Sequence, residues 1–514
     1  MGPHSWTDRT LHELIRSRLS EWKFIVVANR EPYIHRRNNL GQIECMVPAS
    51  GMTTALRPIL EASGGTWIGH GSGDADRAMV DEHDRLPVPP DDPTFTLRRV
   101  WLTKEQEHGF YYGLANEGLW PLCHIAFTRP QFRPRDWEIY REVNQLFADV
   151  VLEEAGDAPT FVFVQDYHFC LLPRMLKERG GSNLVVAHFW HIPWPNREVF
   201  RAFPWGDELL DGMLGNDLLG FHIRHHCQNF LDTVDRGIEA RVDREKWEVT
   251  RAGHATLVRD FPISIDFAAH DAHARSRAVE IAMARWRQRL RLGERQLALG
   301  IERLDYTKGI PDRLRALDYL FETQPQLRGE FLFVQIAVPS RSHLPAYQSA
   351  EDEVDELAAA INARWGSGEW TPVVLLKQHF GQTDLCALHR LARLLVVNSL
   401  HDGMNLVAKE FVASRFDEDG VLLLSKFTGA FREIDDAIGI NPFAIDETAA
   451  AMHHALTMAP LERSRRMQRM REHVREHNVY RWAGKILSTL LRLRLPEASA
   501  PIAPELEELA LTEP

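Results

Sequence analysis

QLALGIERLDYTKGIPDRLRALDYLF (296–321) reads as a strand, a turn and a helix in succession. QLALGI (296–301) is an apolar run of strand length. IPDRLRALDYLF (310–321) carries Pro311 one residue in and repeats apolar residues at Leu314, Leu317 and Leu320–Phe321, the spacing of a helix. Between them, ERLDYTKG (302–309) places Arg303 and Lys308 in the turn. A cationic turn leading from a buried strand into a helix is the usual setting for an anionic ligand at the mouth of a parallel sheet. Taken alone, it reads equally well as two solvated surface charges.

The same pattern recurs along the chain. Strand-length apolar runs occur at FIVVANR (24–30), FVFVQDYH (161–168), LVVAHFWH (184–191), DLLGFH (217–222), EFLFVQIAV (330–338), TPVVLLK (371–377), LLVVNSL (394–400) and GVLLLSK (420–426), with amphipathic segments between them. Near-continuous Val, Leu and Phe mark strands covered on both faces, so the fold class is α/β with parallel sheets. Polar residues gather at the C-terminal ends of these runs: Asn29–Arg30, Asp166–His168, His191, Arg303–Lys308, Arg341 and His401–Asp402. Ligands bind at those ends in open α/β sheets. A boundary near FPISID (261–266) divides the chain into two α/β halves, and RMQRMREHVREHNVYRWAGKILSTLLRL reads as helix able to cross back to the first half.

At 514 residues and 44 % hydrophobic the chain has material for more than one core. A net charge of −12 argues against nucleic acid or an anionic membrane as partner, so any phosphate site is a local cationic pocket. Five scattered cysteines without a CxxC pair fit reduced thiols in the cytoplasm. No apolar run reaches the ~18 residues of a membrane span. The opening MGPHS lacks the order of a secretion signal and is read as partly appended, and the Pro/Ala/Glu-rich tail is expected to be mobile.

Other strand ends offer chemistry with a plainer alternative beside it. In HDGMNLVAKEF (401–411), Asp402 and Gly403 form a turn into a helix whose first amides suit phosphate or sugar hydroxyls, with Glu410 eight residues on. Taken alone, the segment favours the plainer alternative, Asp402 as a helix cap and Glu410 as a solvated residue. His191, between Trp190 and a rigid IPWP turn, can donate to a substrate oxygen or sit as a buried structural histidine. ASGMTTALRP (49–58) is a small-residue turn in which Gly51 admits a phosphate to the backbone, but it lacks the Walker lysine and the full GxGxxG. FHIRHHC (221–227) matches no standard metal spacing.

Taken together, ERLDYTKGIPDR, HDGMNLVAKEF, VQDYHFCLLP, HIPWP, LLGFH and GLWPLCH resemble the trehalose-6-phosphate synthase family of retaining glucosyltransferases, in the family's order, from about Phe24 to about Leu490. The resemblance implies a GT-B fold, with two Rossmann-like domains facing a cleft. It divides the chain into an extension (1–22), an acceptor domain (23–262), a nucleotide-sugar donor domain (263–480), a helix packing back on the first domain (481–495) and a tail (496–514). By the same resemblance Arg303 and Lys308 hold the donor diphosphate, with Gly51 contacting it through backbone. Asp402 and the amides of Gly403, Met404, Asn405, Leu406 and Val407 cradle donor sugar and phosphate, Glu410 takes the ribose, and His191 reaches the donor glucose. Arg30, Tyr111, Trp120, Asp166 and Arg341 match the acceptor side. The implied reaction moves glucose from UDP-glucose to glucose 6-phosphate with retention, without a metal or other cofactor; the partners are small molecules, and a homo-oligomer is compatible. REPY (30–33) resembles glucosylglycerol-phosphate synthases, which use glycerol 3-phosphate, so that acceptor is the alternative; a catalytically silent sugar-phosphate-binding regulator is the alternative of another class.

Overall fold

The computed structural model describes residues 6–48 and 51–494. The opening MGPHS, Ala49–Ser50 and the whole 496–514 tail lie outside the described residues. The chain forms two compact units: one of the residues up to Ile263 together with those from Val479 on, the other Ser264–Asn478.

The first unit is built on a ten-stranded sheet. Its parallel centre runs, side by side, through His254–Asp260, Leu218–Phe221, Leu184–Phe189, Thr160–Gln165, Lys23–Val27, Thr66–His70 and Phe95–Val100. Antiparallel strands close both edges, Glu248–Arg251 and Arg241–Asp243 at one, Arg85–Val88 at the other. Thr160–Gln165 and Leu184–Phe189 are buried along their whole length, which is why they read as unbroken apolar runs. Val27 pairs with Ile68 on one side and Val164 on the other. The chain builds outward from Lys23–Val27 in one direction, then returns and builds in the other. The strand order therefore reverses between Lys23–Val27 and Thr160–Gln165, and the residues just beyond them are Arg30 and Asp166.

The second unit carries a six-stranded, wholly parallel sheet in the order Val373–Leu376, Phe331–Val338, Gln296–Arg303, Ala392–Val397, Val421–Ser425, Ile438–Ile440. Here the order reverses between Gln296–Arg303 and Ala392–Val397. The helix Ile310–Thr323 buries Ile310, Leu314, Leu317 and Leu320 in a core shared with Met452 and Leu456 of the helix Ile445–Thr457. Pro311 stands in its first turn, where no intrahelical donor is lost.

One segment differs from its sequence reading, and two others carry structure that was not read from the sequence. The C-terminal stretch read as one helix is two, Pro460–Glu476 and Val479–Arg494, broken at His477–Asn478 where the chain leaves the second unit for the first. There Trp482 meets Phe189 edge-on at 5.2 Å between ring centroids, and Gly484 lies against Trp6, leaving no room for a β-carbon. His108–Leu119 is a π-helix, whose wider turn a 3.6-residue periodicity does not reveal. The residues after Arg30 form an isolated hairpin, Ile34–Arg37 against Ile43–Met46, with Leu40 and Val47 exposed. Among the described residues no helix is long and apolar enough to cross a membrane.

Candidate active site

In the second unit, the turns following the two strands that flank the reversal meet. The Lys308 ammonium is 2.6 Å from Asp402 Oδ2, and both side chains are largely buried. Ser399 Oγ and Asn405 Nδ2 each donate to the same Asp402 oxygen at 3.2 Å. Asp402 is thus held by side chains and does not cap the helix. That helix begins at Leu406, and its cap is Asn405, at φ 79°, whose side chain accepts from the Ala408 amide. Leu406 and Val407 stand in the first turn, where helical geometry offers their amides no carbonyl. Gly403 and Met404 are buried, and the Met404 carbonyl accepts from the Ala430 amide. Glu410 is half-buried on the same helix; burial pushes its carboxyl up against the pull of His270.

Arg303 ends its strand with its side chain 34 % exposed, so it borders solvent but is not splayed into it. Its Nη2 is 3.8 Å from Oδ2 of the buried Asp305, and Arg341 Nη1 is 3.7 Å from the same oxygen. Burial would raise the Asp305 carboxyl, yet Arg303, Arg341 and Lys308 together hold it below the usual carboxylate range. Arg303, Lys308, Arg341, Asp305 and Asp402 therefore form one charged cluster at the strand-order reversal, where open α/β sheets bind ligands.

Beneath this cluster lies Arg313, 1 % exposed, which sequence reasoning passed over. Its Nε donates to Asn398 Oδ1 at 2.7 Å and its Nη1 to Gln335 Oε1 at 2.7 Å, and it pairs with Glu302. Asn398 Nδ2 in turn donates to the Gly309 carbonyl at 2.9 Å. The network ties the residue before Arg303, the residue after Lys308 and the residue before Ser399 into one block. Gly300 makes the space, since a β-carbon there would stand 2.2 Å from Arg313 Nη1. A signal was present: Arg313 falls on the apolar face of its own helix, between Ile310 and Leu314.

In the first unit, Asp166 follows the strand Thr160–Gln165 with φ 67° and ψ 178°, a region that a side chain rarely tolerates. Three contacts fix it there. Its amide donates to the Phe189 carbonyl at 2.8 Å, its carbonyl meets His188 Nε2 at 2.8 Å, and its Oδ1 accepts from the His191 amide at 3.2 Å. His191 Nε2 is 2.9 Å from Gln165 Oε1. Burial holds the His191 imidazole down to about 3 and that of His188 to about 4, so both are neutral at ordinary pH. With Nε2–H given to Gln165, the His191 ring presents Nδ1, an acceptor; the sequence had offered a donor to substrate or a buried structural histidine as alternatives.

Tyr111 stacks on His168 at 5.7 Å, and Trp120 lies 5.9 Å from Tyr167, whose hydroxyl donates to Asn116 Oδ1 at 3.1 Å. These contacts bring Tyr111 and Trp120, from the π-helix and the short α-helix Trp120–His124 that continues it, beside the residues that follow Asp166. Arg30 is exposed past its strand, and its carbonyl accepts from Trp67 Nε1 at 3.0 Å. Gly51 is the exposed first residue of the helix Gly51–Ser63. Behind Arg30, Glu31, Arg99, Asp76 and His35 form a buried cluster, with Arg99 reaching Glu31 Oε2 and Asp76 Oδ1 at 2.8 Å each. Among the described residues no group of three or more His, Cys, Asp or Glu is placed to hold a metal ion; in FHIRHHC, His222 Nε2 meets the His191 carbonyl instead.

Comparison with known proteins adds independent findings. The model of glycosyltransferase family 20 matches residues 22–492. The trehalose-6-phosphate synthase of Mycolicibacterium vanbaalenii is 38 % identical over 474 residues, covering 91 % of this chain and 95 % of the relative. An E. coli trehalose-6-phosphate structure bound with UDP-2-fluoro glucose superposes with a TM-score of 0.81 at 32 % identity, over 91 % of this chain and 98 % of that one. An α,α-trehalose-phosphate synthase (UDP-forming) from Burkholderia xenovorans, in complex with glucose-6-phosphate, also scores 0.81, at 28 % identity over 91 % and 99 % of the two chains.

Proposed function

The chain belongs to glycosyltransferase family 20, with the GT-B architecture of two Rossmann-like units, and from that premise we propose that it transfers glucose from UDP-glucose to glucose 6-phosphate, giving α,α-trehalose 6-phosphate and UDP. It is a glycosyltransferase of the UDP-forming trehalose-phosphate synthase type. The substrates and residue roles rest above all on the Arg303–Lys308–Asp402 cluster at the strand-order reversal of the Ser264–Asn478 sheet.

As the bond from the anomeric carbon to the phosphate oxygen breaks, negative charge builds on the departing diphosphate. Arg303 and Lys308 offset it from fixed positions, which lowers the barrier more than mobile counter-ions do. The incoming hydroxyl forms the new bond and passes its proton to a leaving phosphate oxygen, so no pair of acid and base carboxylates is required. Asp402, the amides of Gly403 to Val407 and the Gly51 backbone hold donor sugar and phosphate, Glu410 takes the ribose, and His191 accepts from a glucose hydroxyl. Arg341 and Arg30 grip the acceptor phosphate, guanidinium offering it paired donors. Tyr111, Trp120 and Asp166 orient the acceptor ring. The cationic pair takes the part that a metal plays elsewhere, so EDTA is expected to leave the rate unchanged.

Glycerol 3-phosphate as acceptor loses support from the fold. Glu31 and Tyr33, which carry the REPY likeness with Arg30, are 1 % and 4 % exposed, Glu31 in the Arg99 cluster. Their presence reflects packing more than acceptor choice. All five cysteines are free and four are buried, which suits a reducing cytoplasmic setting. The deciding experiment crosses glucose 6-phosphate and glycerol 3-phosphate with UDP-, ADP- and GDP-glucose. Preference for UDP-glucose with glucose 6-phosphate is expected; turnover with glycerol 3-phosphate alone overturns the acceptor, and no turnover in any pairing overturns the enzyme reading.

A further inference from the structure

We propose that Asp305 is a positioning residue that sets Arg303 and Arg341 together, making the grip on the donor diphosphate and the grip on the acceptor phosphate depend on one carboxylate. This rests on the reading of those two guanidinium groups as phosphate-binding. It adds a residue for which the sequence offered no role.

The two oxygens of Asp305 do different work. Oδ1 is anchored, accepting from the Thr307 amide at 3.0 Å and from Thr307 Oγ1 at 2.8 Å. Oδ2 faces Arg303 Nη2 at 3.8 Å, Arg341 Nη1 at 3.7 Å and the Tyr347 hydroxyl at 3.5 Å. Tyr347 completes the arrangement, since Arg341 Nη1 donates to its hydroxyl at 2.6 Å. At 3.7–3.8 Å neither guanidinium spends a hydrogen bond on Oδ2, yet both are drawn to it. The carboxylate is completely shielded from solvent, so water does not screen it. Lys308 differs, being paired directly with Asp402 at 2.6 Å. Arg341 is also held from behind, by a left-handed backbone at φ 51°. Two cations so close together repel each other. Without the charge between them they separate, and each phosphate meets a displaced fork.

The test is Asp305→Asn, which keeps the side chain's shape and an oxygen for Thr307 but removes the charge. KM for UDP-glucose and for glucose 6-phosphate, kcat, UDP affinity by calorimetry and the thermal midpoint are measured. Both KM values are expected to rise about tenfold, with UDP affinity falling in parallel. In an Arg341→Ala background the acceptor effect should vanish while the donor effect persists, a pattern that general loosening of the fold does not produce. Unchanged KM values beside a lowered thermal midpoint would make Asp305 merely structural and overturn the proposal. If Asp305→Asn does not fold, Tyr347→Phe decides: a raised acceptor KM with donor KM unchanged supports the arrangement, and no change in either overturns it. Wild-type protein that binds UDP but transfers no glucose sinks the reading of the reaction instead, and the UDP affinities of the two proteins then judge Asp305.

Discussion

Lys308 Nζ and Asp402 Oδ2, 2.6 Å apart, join the turn after one central strand of the Ser264–Asn478 sheet to the turn after its neighbour. A ligand arriving between those turns meets a cation already oriented, with Ser399 and Asn405 holding its counter-charge in place. Lys308→Ala is expected to lower kcat/KM by about 10³-fold or more, the scale of losing a preorganised charge at a departing group. Circular dichroism should be unchanged, because Asp402 keeps two other donors. Near-normal turnover would remove Lys308 from the donor site.

On the proposed reading, in which Arg341 grips the acceptor phosphate, it serves one substrate more than the other. Arg341→Ala is expected to raise KM for glucose 6-phosphate by tenfold or more and KM for UDP-glucose by about threefold at most, the smaller effect passing through Asp305. Initial-rate kinetics with each substrate varied would show it. Equal increases in both would count against a grip on acceptor phosphate.

The backbone at Asp166 makes stability and activity separable. Glycine tolerates φ 67°, ψ 178° without the steric cost, about 1–3 kcal/mol, that a β-carbon incurs there. Asp166→Gly should therefore be more stable than Asp166→Ala by roughly that amount in urea titrations, while both lose most activity. Equal stabilities would mean that the conformation carries no strain.

Glu31 links stability to pH. Burial, with a hydrogen bond to Asp76, raises its carboxyl from an ordinary 4.5 to about 8, outweighing the Arg99 guanidinium. The folded chain thus keeps a proton that the unfolded chain has lost. Its contribution is complete below about pH 4.5 and declines towards pH 8, by up to about 1.4 kcal/mol per pH unit. His188 and His191, with pKa values lowered to about 4 and about 3, act in the opposite sense, but only below the ordinary histidine value of 6.5. Between pH 6.5 and 8, wild type should lose stability that Glu31→Gln retains. Parallel curves in chemical denaturation would show that Glu31 is ionised throughout.

Much of the fold was legible because parallel strands buried on both faces leave apolar runs of strand length, as Thr160–Gln165 and Phe331–Val338 do. The charged cluster was legible where charge sits at the end of such a run, as with Arg303 and Lys308. What escaped was held by geometry that residue types do not encode. The strained Asp166 backbone depends on partners on the neighbouring strand and the turn after it, and the helix cap fell to Asn405, since Asp402 was already engaged by Lys308. Asp305 looked like one more turn residue until Arg341, far along the chain, came to lie beside it. Arg313 is the exception, because its place on an apolar helix face was visible without any coordinates.

The return of Val479–Arg494 to the first unit also bears on how the protein is made. Trp482 and Gly484 complete the packing around Phe189 and Trp6, but a ribosome releases them after all of Ser264–Asn478. The half synthesised first is the half finished last, and during translation it waits with an aromatic seam uncovered. A premature stop just before Val479 would spare the half encoded beside it and damage the one encoded at the start.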